Sequence, residues 1–177
     1  MNKIVKLAVI LFAVSAIVAL CLGLVNSVTA DRIAAIAAEK LATAMSEVLP
    51  ADEYTDVEYT GGDQNVDFIK KAGDKGWVVQ CTVSGSQGSI TMLTGVAADG
   101  TVTGISVLDH GETPGLGAIA GAASAVGENW RAQFQGIPSA AVTKDGGQIE
   151  AISGATITSR AICNGVTAAQ NAVKTVG

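Results

Sequence analysis

The sequence predicts an α+β protein in which an N-terminal transmembrane helix is followed by one domain of antiparallel strands and flanking helices. An uncharged apolar run from Leu7 to Val25 predicts the transmembrane helix. Runs rich in β-branched residues, separated by turn residues, predict strands between residues 76 and 108. Apolar residues at helical spacing before and after these strands predict the flanking helices.

Composition limits the classes of function. The chain has 177 residues, a formal net charge of -5 and 4% aromatic residues, which suits one domain and one hydrophobic segment. Nucleic-acid surfaces are basic and often aromatic, so we expect no nucleic-acid partner. The chain has one histidine, His110, and three cysteines without CxxC spacing, which argues against a metal site.

The apolar run near the N-terminus has two interpretations. Lys3 and Lys6 precede it, and "VTA" at residues 28–30 resembles the cleavage site of a signal peptide. The run is longer than the roughly 7–15 apolar residues of cleaved signals, which favours a retained anchor over residues 1–28. By the positive-inside tendency, the N-terminus of this single-pass chain is then cytoplasmic and the domain is extracytoplasmic.

Residues 29–50 predict a juxtamembrane helix that continues from the membrane span and stops at Pro50. Residues 51–177 are assigned to the domain, whose acidic, turn-rich stretch 51–75 contains short alternating segments that could be strands but carry no firm assignment. The apolar stripe of the juxtamembrane helix comprises Ile33, Ile36, Leu41, Ala44, Met45 and Val48.

A three-stranded antiparallel meander is predicted from Gly76 onward. The runs "GWVVQCTVSG", "GSITMLTGVA" and "TVTGISVL" are separated by Gly/Ser-rich or Asp-Gly turns. An extracytoplasmic location would permit a disulfide between Cys81 and Cys163, although spacing does not show that the two sulfurs meet.

The second half of the domain is predicted to alternate loops, strands and helices. Residues 109–118 form a loop rich in glycine, and residues 118–136 predict a helix weakened by glycine. Residues 139–152 predict two short strands around an Asp-Gly-Gly turn. A last helix is predicted from Ile157 to Lys174.

The stretch "EAISGATITSR", residues 150–160, clusters hydroxyl side chains where a strand-like run leads into the last helix. A helix N-terminus has unpaired N–H groups and the positive end of the dipole, so it suits a phosphate. A plain helix cap is the alternative interpretation. A hydrolytic nucleophile is disfavoured because the only histidine lies in a distant loop. The hydroxyl residues are Ser153, Thr156, Thr158 and Ser159.

Two stretches together resemble the covalent-FMN domains of respiratory electron-transport subunits: "HGETPGLG", residues 110–117, and "SGATITS", residues 153–159. The resemblance is closest to the RnfG family, the flavoprotein component of the Rnf complex. It runs from the N-terminal span to near the C-terminus and is weakest over residues 50–75. Three stretches occur in the same order as in that family: "GISVLDHGETPGLG", "NWRAQFQG" and "ISGATITSRAICNGV".

The resemblance implies that FMN is joined by a phosphoester to Thr156, the last residue of the SGAT motif. Ser153, Gly154 and Ala155 would then shape the backbone that accepts the phosphate, and Thr158 would donate to it. In the family, a flavin transferase attaches the FMN from FAD.

The family's ETPGLG loop lies against the flavin, so the resemblance carries this role to the matching residues here. Glu112 and Thr113 would offer polar contacts to the ring edge or ribityl chain, and Leu116 an apolar wall. Gly115 and Gly117 would let the backbone approach.

Three residues near these motifs carry open interpretations. Glu150 stands where the family motif usually has aspartate, within the sequence that the transferase recognises. Lys144 could offer charge to the phosphate or be a solvated turn lysine. His110 is interpreted as a hydrogen-bond donor in its loop rather than a proton shuttle.

The implied function is that of a membrane-anchored electron carrier whose FMN passes electrons one at a time. The Rnf complex couples electron transfer between reduced ferredoxin and NAD to movement of sodium ions or protons, so its other integral and peripheral subunits are the expected partners. Three alternatives stay open. They are the SGAT-containing subunit of the sodium-translocating NADH:quinone reductase, whose chain is usually longer, a flavin-free anchored binding module, and an extracellular flavin reductase domain.

Overall fold

The computed structural model describes residues 3–176, which form an N-terminal helix, a five-stranded sheet and two further helices. This arrangement confirms the predicted α+β class. Two short 3-10 helices, Gly117–Gly121 and Thr143–Asp145, lie in the connections. The helices and strands are α1 (Lys3–Val48), β1 (Thr55–Val57), β2 (Val66–Lys71), β3 (Gly76–Ser84), β4 (Ser89–Ala97), β5 (Val102–His110), α2 (Ala125–Ala132) and α3 (Thr156–Val176).

Helix α1 is continuous through the predicted span and the predicted juxtamembrane helix. Its most apolar window has a mean hydropathy of 2.9 and no buried residue, so its length and composition suit a bilayer crossing. The chain divides into two units after Lys40, and the second unit, from Leu41, includes the last turns of α1 and the domain.

The strands form one antiparallel sheet in the order β1-β2-β3-β4-β5. The predicted meander is confirmed as β3, β4 and β5, with Val83 opposite Ile90 across the first hairpin. Strands β1 and β2 lie in the stretch 51–75, where short alternating segments were noted but no strand was assigned. They pair partly through polar side chains, such as Lys70 and Asp56, whose Nζ and Oδ1 atoms lie 2.5 Å apart.

Each face of the sheet is covered by a helix. Apolar side chains of α3, including Ile162 and Val166, pack with Met92 on one face. On the other face, Val78 and Leu93 pack with the last turns of α1. Burial against this core accounts for most of the stability expected of the domain.

Helix α1 ends on the sheet through a backbone contact. The Thr103 hydroxyl donates to the carbonyl oxygen of Val48 at 2.5 Å. A Cβ on Gly95 would lie 2.6 Å from the same oxygen, so glycine is required for this approach. The bond satisfies a carbonyl that the end of a helix otherwise leaves unpaired.

Two predictions for the second half of the domain are wrong. Residues 118–136 do not form one helix, because Ser124 is extended and caps a separate α2 by accepting from the Gly127 N–H at 3.3 Å. Residues 139–152 contain no strand pair. They fold into a turn closed by a parallel bridge between Val142 and Ile149.

The last helix is confirmed, and it begins at Thr156, one residue earlier than predicted. Cys81 and Cys163 are both buried free thiols, so the structure contains no disulfide between them. Burial, with smaller contributions from nearby aspartates, raises the pKa of each thiol to about 12. Both cysteines therefore act as small apolar core residues.

Candidate functional site

The start of α3 is built as a tight turn that leaves Thr156 at its edge. The Ala155 N–H donates to the Ile152 carbonyl at 2.9 Å. The buried Ser159 hydroxyl accepts from the Ile152 N–H and donates to the Ala155 carbonyl, both at 3.0 Å. Ser159 therefore shapes the turn from inside, whereas Thr156 is only partly buried at the first helical position.

Glu112 of the ETPGLG loop is the buried centre of the site. Its side chain is 6% exposed, and its Oε2 atom accepts from the hydroxyl of Thr158, which is 1% exposed. Its Oε1 atom accepts from the N–H groups of Ser86 at 2.7 Å and Gln87 at 3.1 Å. One carboxylate thus joins the ETPGLG loop, the β3–β4 hairpin and the first turn of α3.

The surroundings of Glu112 favour its ionised form. Burial acts to raise its pKa, but hydrogen bonds from Thr158, Gln87 and Ser86, with the nearby His110, outweigh burial and lower the pKa. A folded-state pKa below the unfolded one means that the carboxylate stabilises the fold above about pH 4.3. That stabilisation is lost as pH falls through the folded-state pKa.

We expect Glu112→Gln to destabilise the domain by about 1–2 kcal/mol near neutral pH, because charge-assisted hydrogen bonds are replaced by neutral ones. The difference from the parent should shrink as pH falls below about 4.3, where the unfolded parent becomes protonated, and should be smallest below the lowered folded-state pKa. Thermal unfolding of the full chain in detergent between acidic and neutral pH measures this effect. The exposed Glu53→Gln variant is the control, and a difference for Glu112→Gln that is constant with pH would contradict the assignment.

The ETPGLG loop and the SGAT turn meet through small residues. Gly154 has a φ of +75°, a conformation that favours glycine, and a Cβ there would lie 3.0 Å from Cδ2 of Leu116. Leu116 therefore lies against the SGAT turn. Outside α1, the described large apolar side chains that are exposed are Leu116, Val126 and Ile157. Two of these three thus flank Thr156, one across Gly154 and one as its neighbour in sequence.

A positive side chain also reaches the start of α3. Lys144, in the 3-10 helix Thr143–Asp145, places its Nζ atom 3.4 Å from Oγ1 of Thr156. Asp145 forms a two-bond ion pair with Arg160, each bond 2.7 Å long. The Arg160 guanidinium, first by hydrogen bonding and then by its charge, lowers the pKa of Asp145, and the charge of Lys144 adds to this effect.

Comparison with known proteins assigns both parts of the chain. Residues 85–171 match the family model of the FMN-binding domain, and residues 1–48 match that of the RnfG N-terminal region. The G component of the ion-translocating oxidoreductase complex from Methanosarcina acetivorans is 35% identical over 91% of this chain and 89% of its own length. The chain belongs to the RnfG family.

Other members of the RnfG family match over similar lengths. The G component of the Na+-translocating ferredoxin:NAD+ oxidoreductase complex of Acetobacterium woodii is 37% identical over 91% of this chain and 87% of its own length. The corresponding Escherichia coli protein is 34% identical over 80% and 77%. The chain is therefore a membrane-anchored member of the family with an FMN-binding domain.

The residues around Thr156 fit the phosphate of FMN. The N–H groups of Thr156, Ile157 and Thr158 at the start of α3 have no intrahelical acceptor, whereas that of Ser159 donates to the Ala155 carbonyl. Lys144 supplies positive charge beside the hydroxyl, and Gly154 has no side chain to block an approach. Exposed Leu116 and Ile157 offer apolar surface of the kind that suits a flavin ring. This donor set and surface match a group with an anionic end and an aromatic end.

The predicted site residues of this RnfG-family chain fall into an exposed group and a buried group. Thr113, Gly115, Leu116, Ser153 and Gly154 are exposed, and Thr156 is partly exposed. Ala155, Gly117, Glu112 and Thr158 are buried. The hydroxyl of Thr158 and the carboxylate of Glu112 are directed at each other, so their predicted contacts with the phosphate and the flavin ring remain predictions.

Sequence reasoning missed the contribution of the β3–β4 hairpin. Ser86 and Gln87 act through backbone N–H groups, which leave no side-chain signature, and the only hint is the glycine-rich "SGSQGS" stretch. It also missed the position of Glu150, whose carbonyl accepts from the indole of Trp130 at 2.7 Å. Trp130 is buried in the core and fixes the strand-like segment before the SGAT turn.

Proposed function

We propose that this chain carries FMN as a phosphoester on Thr156 and relays electrons as the flavoprotein subunit of an ion-translocating ferredoxin:NAD oxidoreductase of the Rnf type. The position of the Thr156 hydroxyl carries the proposal, because it stands at the first residue of α3 with the Lys144 ammonium 3.4 Å away. The similarity to the Acetobacterium woodii relative, which belongs to a Na+-translocating ferredoxin:NAD+ oxidoreductase complex, supports the choice of complex. No substrate is turned over at this domain.

Residues at the start of α3 hold the phosphate in this proposal. Thr156 supplies the ester oxygen, and Ser153, Gly154 and Ala155 shape the backbone around it. The first-turn N–H groups of α3 and the dipole of that helix favour the negative charge. FMN supplies the electron-transfer chemistry when bound, whereas the protein supplies its position and limits solvent access.

Residues of the ETPGLG loop support the flavin ring in this proposal. Leu116 and Ile157 provide apolar surface, and Thr113 and Gly115 border it from the loop. Glu112 fixes the loop from beneath through its bonds to Thr158 and the hairpin. Gly117 permits that link by having no side chain.

The proposed cellular arrangement follows from the charge of the N-terminus and the length of α1. Residues 1–28 form a single-pass anchor with a cytoplasmic N-terminus, residues 29–50 a juxtamembrane segment, and residues 51–177 an extracytoplasmic FMN domain. A flavin transferase attaches the FMN on that side. The remaining integral and peripheral subunits of the complex are the electron-transfer partners.

The proposal is tested on the tagged full-length chain purified from native membranes. We expect flavin fluorescence to survive denaturing electrophoresis, and the tryptic peptide of residues 145–160 to carry the mass of an FMN ester. Other integral subunits should copurify. A dark band from folded protein, with the transferase active, would leave the SGAT turn as a helix cap. A fluorescent chain that reduces a soluble acceptor by itself, without membrane partners, would instead indicate a flavin reductase.

A further inference from the structure

We propose that Lys144 is the residue that binds the phosphate at Thr156 and accelerates attachment of the flavin. The inference rests on the proposed function above. In this proposal, the Lys144 ammonium neutralises the negative charge that the phosphoester introduces. Neither the SGAT motif nor the ETPGLG motif includes a positively charged residue for this role.

The charge of Lys144 is available at this place. The salt bridge next to it joins Asp145 to Arg160, with both carboxylate oxygens engaged at 2.7 Å. Among the residues that the structure describes, Lys144 has no carboxylate within salt-bridge distance, although its charge acts on Asp145 at longer range, and its hydrogen bond is the one to Thr156 at 3.4 Å. A phosphate oxygen bonded to the Thr156 oxygen would lie within reach of the same ammonium group.

The turn that carries Lys144 is held firmly relative to α3. The Thr143 N–H donates to the Ile149 carbonyl at 2.9 Å, and the Gly147 N–H to the Val142 carbonyl at 3.0 Å. Arg160 lies four residues after Thr156 and therefore on the same side of the helix. Its ion pair with Asp145 links the turn that carries Lys144 to this side of α3. The backbone from which the exposed lysine extends is thus held beside Thr156, within reach of its hydroxyl.

The attachment step defines what this charge stabilises. The Thr156 hydroxyl oxygen forms a bond to the FMN phosphorus of FAD, and the pyrophosphate bond to the AMP portion breaks, so that AMP leaves. The hydroxyl proton passes to a base of the transferase. No oxidant or reductant takes part. The transferring phosphoryl group and the diester product are both anionic, and a fixed cation beside them lowers their energy. Because Lys144 is exposed, we expect an effect of about fivefold on the rate.

The test measures the initial rate at which the full-length chain, with FAD and purified transferase, gains flavin fluorescence that survives denaturing electrophoresis. We expect Lys144→Gln to be modified about fivefold more slowly than the parent. Lys144→Arg, which keeps the charge, should stay near the parent rate. Lys174→Gln, which removes an exposed lysine at the far end of α3, is the matched control and should be unchanged.

Two further readouts separate a charge effect from a structural one. The ratio of parent to Lys144→Gln rates should fall as salt is raised, because exposed charges are screened. The phosphorus NMR resonance of the attached diester should shift in Lys144→Gln and stay in place in Lys174→Gln. Equal rates and equal resonances for the parent and Lys144→Gln would overturn the inference while leaving covalent FMN intact. So would a Lys144→Arg variant as slow as Lys144→Gln. A parent chain that stays dark would overturn the proposed function itself.

Discussion

Replacing Thr156 with alanine should abolish the covalent flavin while leaving the domain folded. The substitution removes the only atom that can form the proposed ester at this position. Thr156 is partly exposed, and its hydroxyl makes one long hydrogen bond to Lys144, so the loss of stability should stay below about 1 kcal/mol. In-gel flavin fluorescence and intact mass measure the flavin, and thermal unfolding of the same preparation measures the fold.

The controls for this prediction lie at the same helix start. Thr156→Ser keeps a hydroxyl at the first position of α3 and should retain flavin. Thr143→Ala removes an exposed hydroxyl from the neighbouring turn and should behave as the parent. Persistent fluorescence in Thr156→Ala would place the attachment at another residue and contradict the assignment.

Replacing Gly117 with alanine should destabilise the domain by about 2–4 kcal/mol, the combined cost of overpacking and of a broken buried hydrogen bond. A Cβ at this position would lie 2.6 Å from the Thr158 oxygen and 3.0 Å from Cβ of Glu112. Neither buried neighbour can move without breaking the bond between them. Thermal unfolding should show a lower Tm, and flavin attachment should fall because the ETPGLG loop shifts away from the SGAT turn.

Gly111 provides the matched comparison in the same loop. A Cβ there would meet the Cα of Gly88 at 3.6 Å, an ordinary contact, and the Gly111 backbone has no positive φ. Gly111→Ala should therefore change stability by no more than about 0.5 kcal/mol. Equal losses of stability for Gly111→Ala and Gly117→Ala would show that the loop is sensitive to any side chain, and would contradict the steric argument.

Periodicity predicted the parts of the fold that are built from local repetition. Strands β3 to β5 are runs rich in β-branched residues between glycine-containing turns, and α3 repeats apolar residues at helical spacing, so both were identified. The segment before α2 was missed because a single cap, Ser124, interrupts what is otherwise a continuous helical pattern. Strands β1 and β2 were left unassigned because they are short and partly polar, as the ion pair between Lys70 and Asp56 shows.

The motifs predicted a set of site residues, but they gave no indication of how those residues are joined in the fold. Glu112 and Thr158 lie 46 positions apart, and nothing in either motif indicates that the two side chains bond to each other. The hairpin N–H groups that also donate to the Glu112 carboxylate are brought to it by tertiary folding alone. Long-range polar contacts of this kind follow from the packed fold rather than from local sequence.

The orientation of hydroxyl groups at the start of α3 has a consequence for how a modifying enzyme chooses its target. Thr158 and Ser159 point into the protein and are 1% and 0% exposed, whereas Thr156 remains open to solvent. Within the first turn of α3, folding thus leaves Thr156 as the hydroxyl that a flavin transferase could reach under the proposed function. Selection of Thr156 over Thr158 and Ser159 would then be a property of the substrate's fold, whereas the exposed Ser153 must be excluded by the transferase itself.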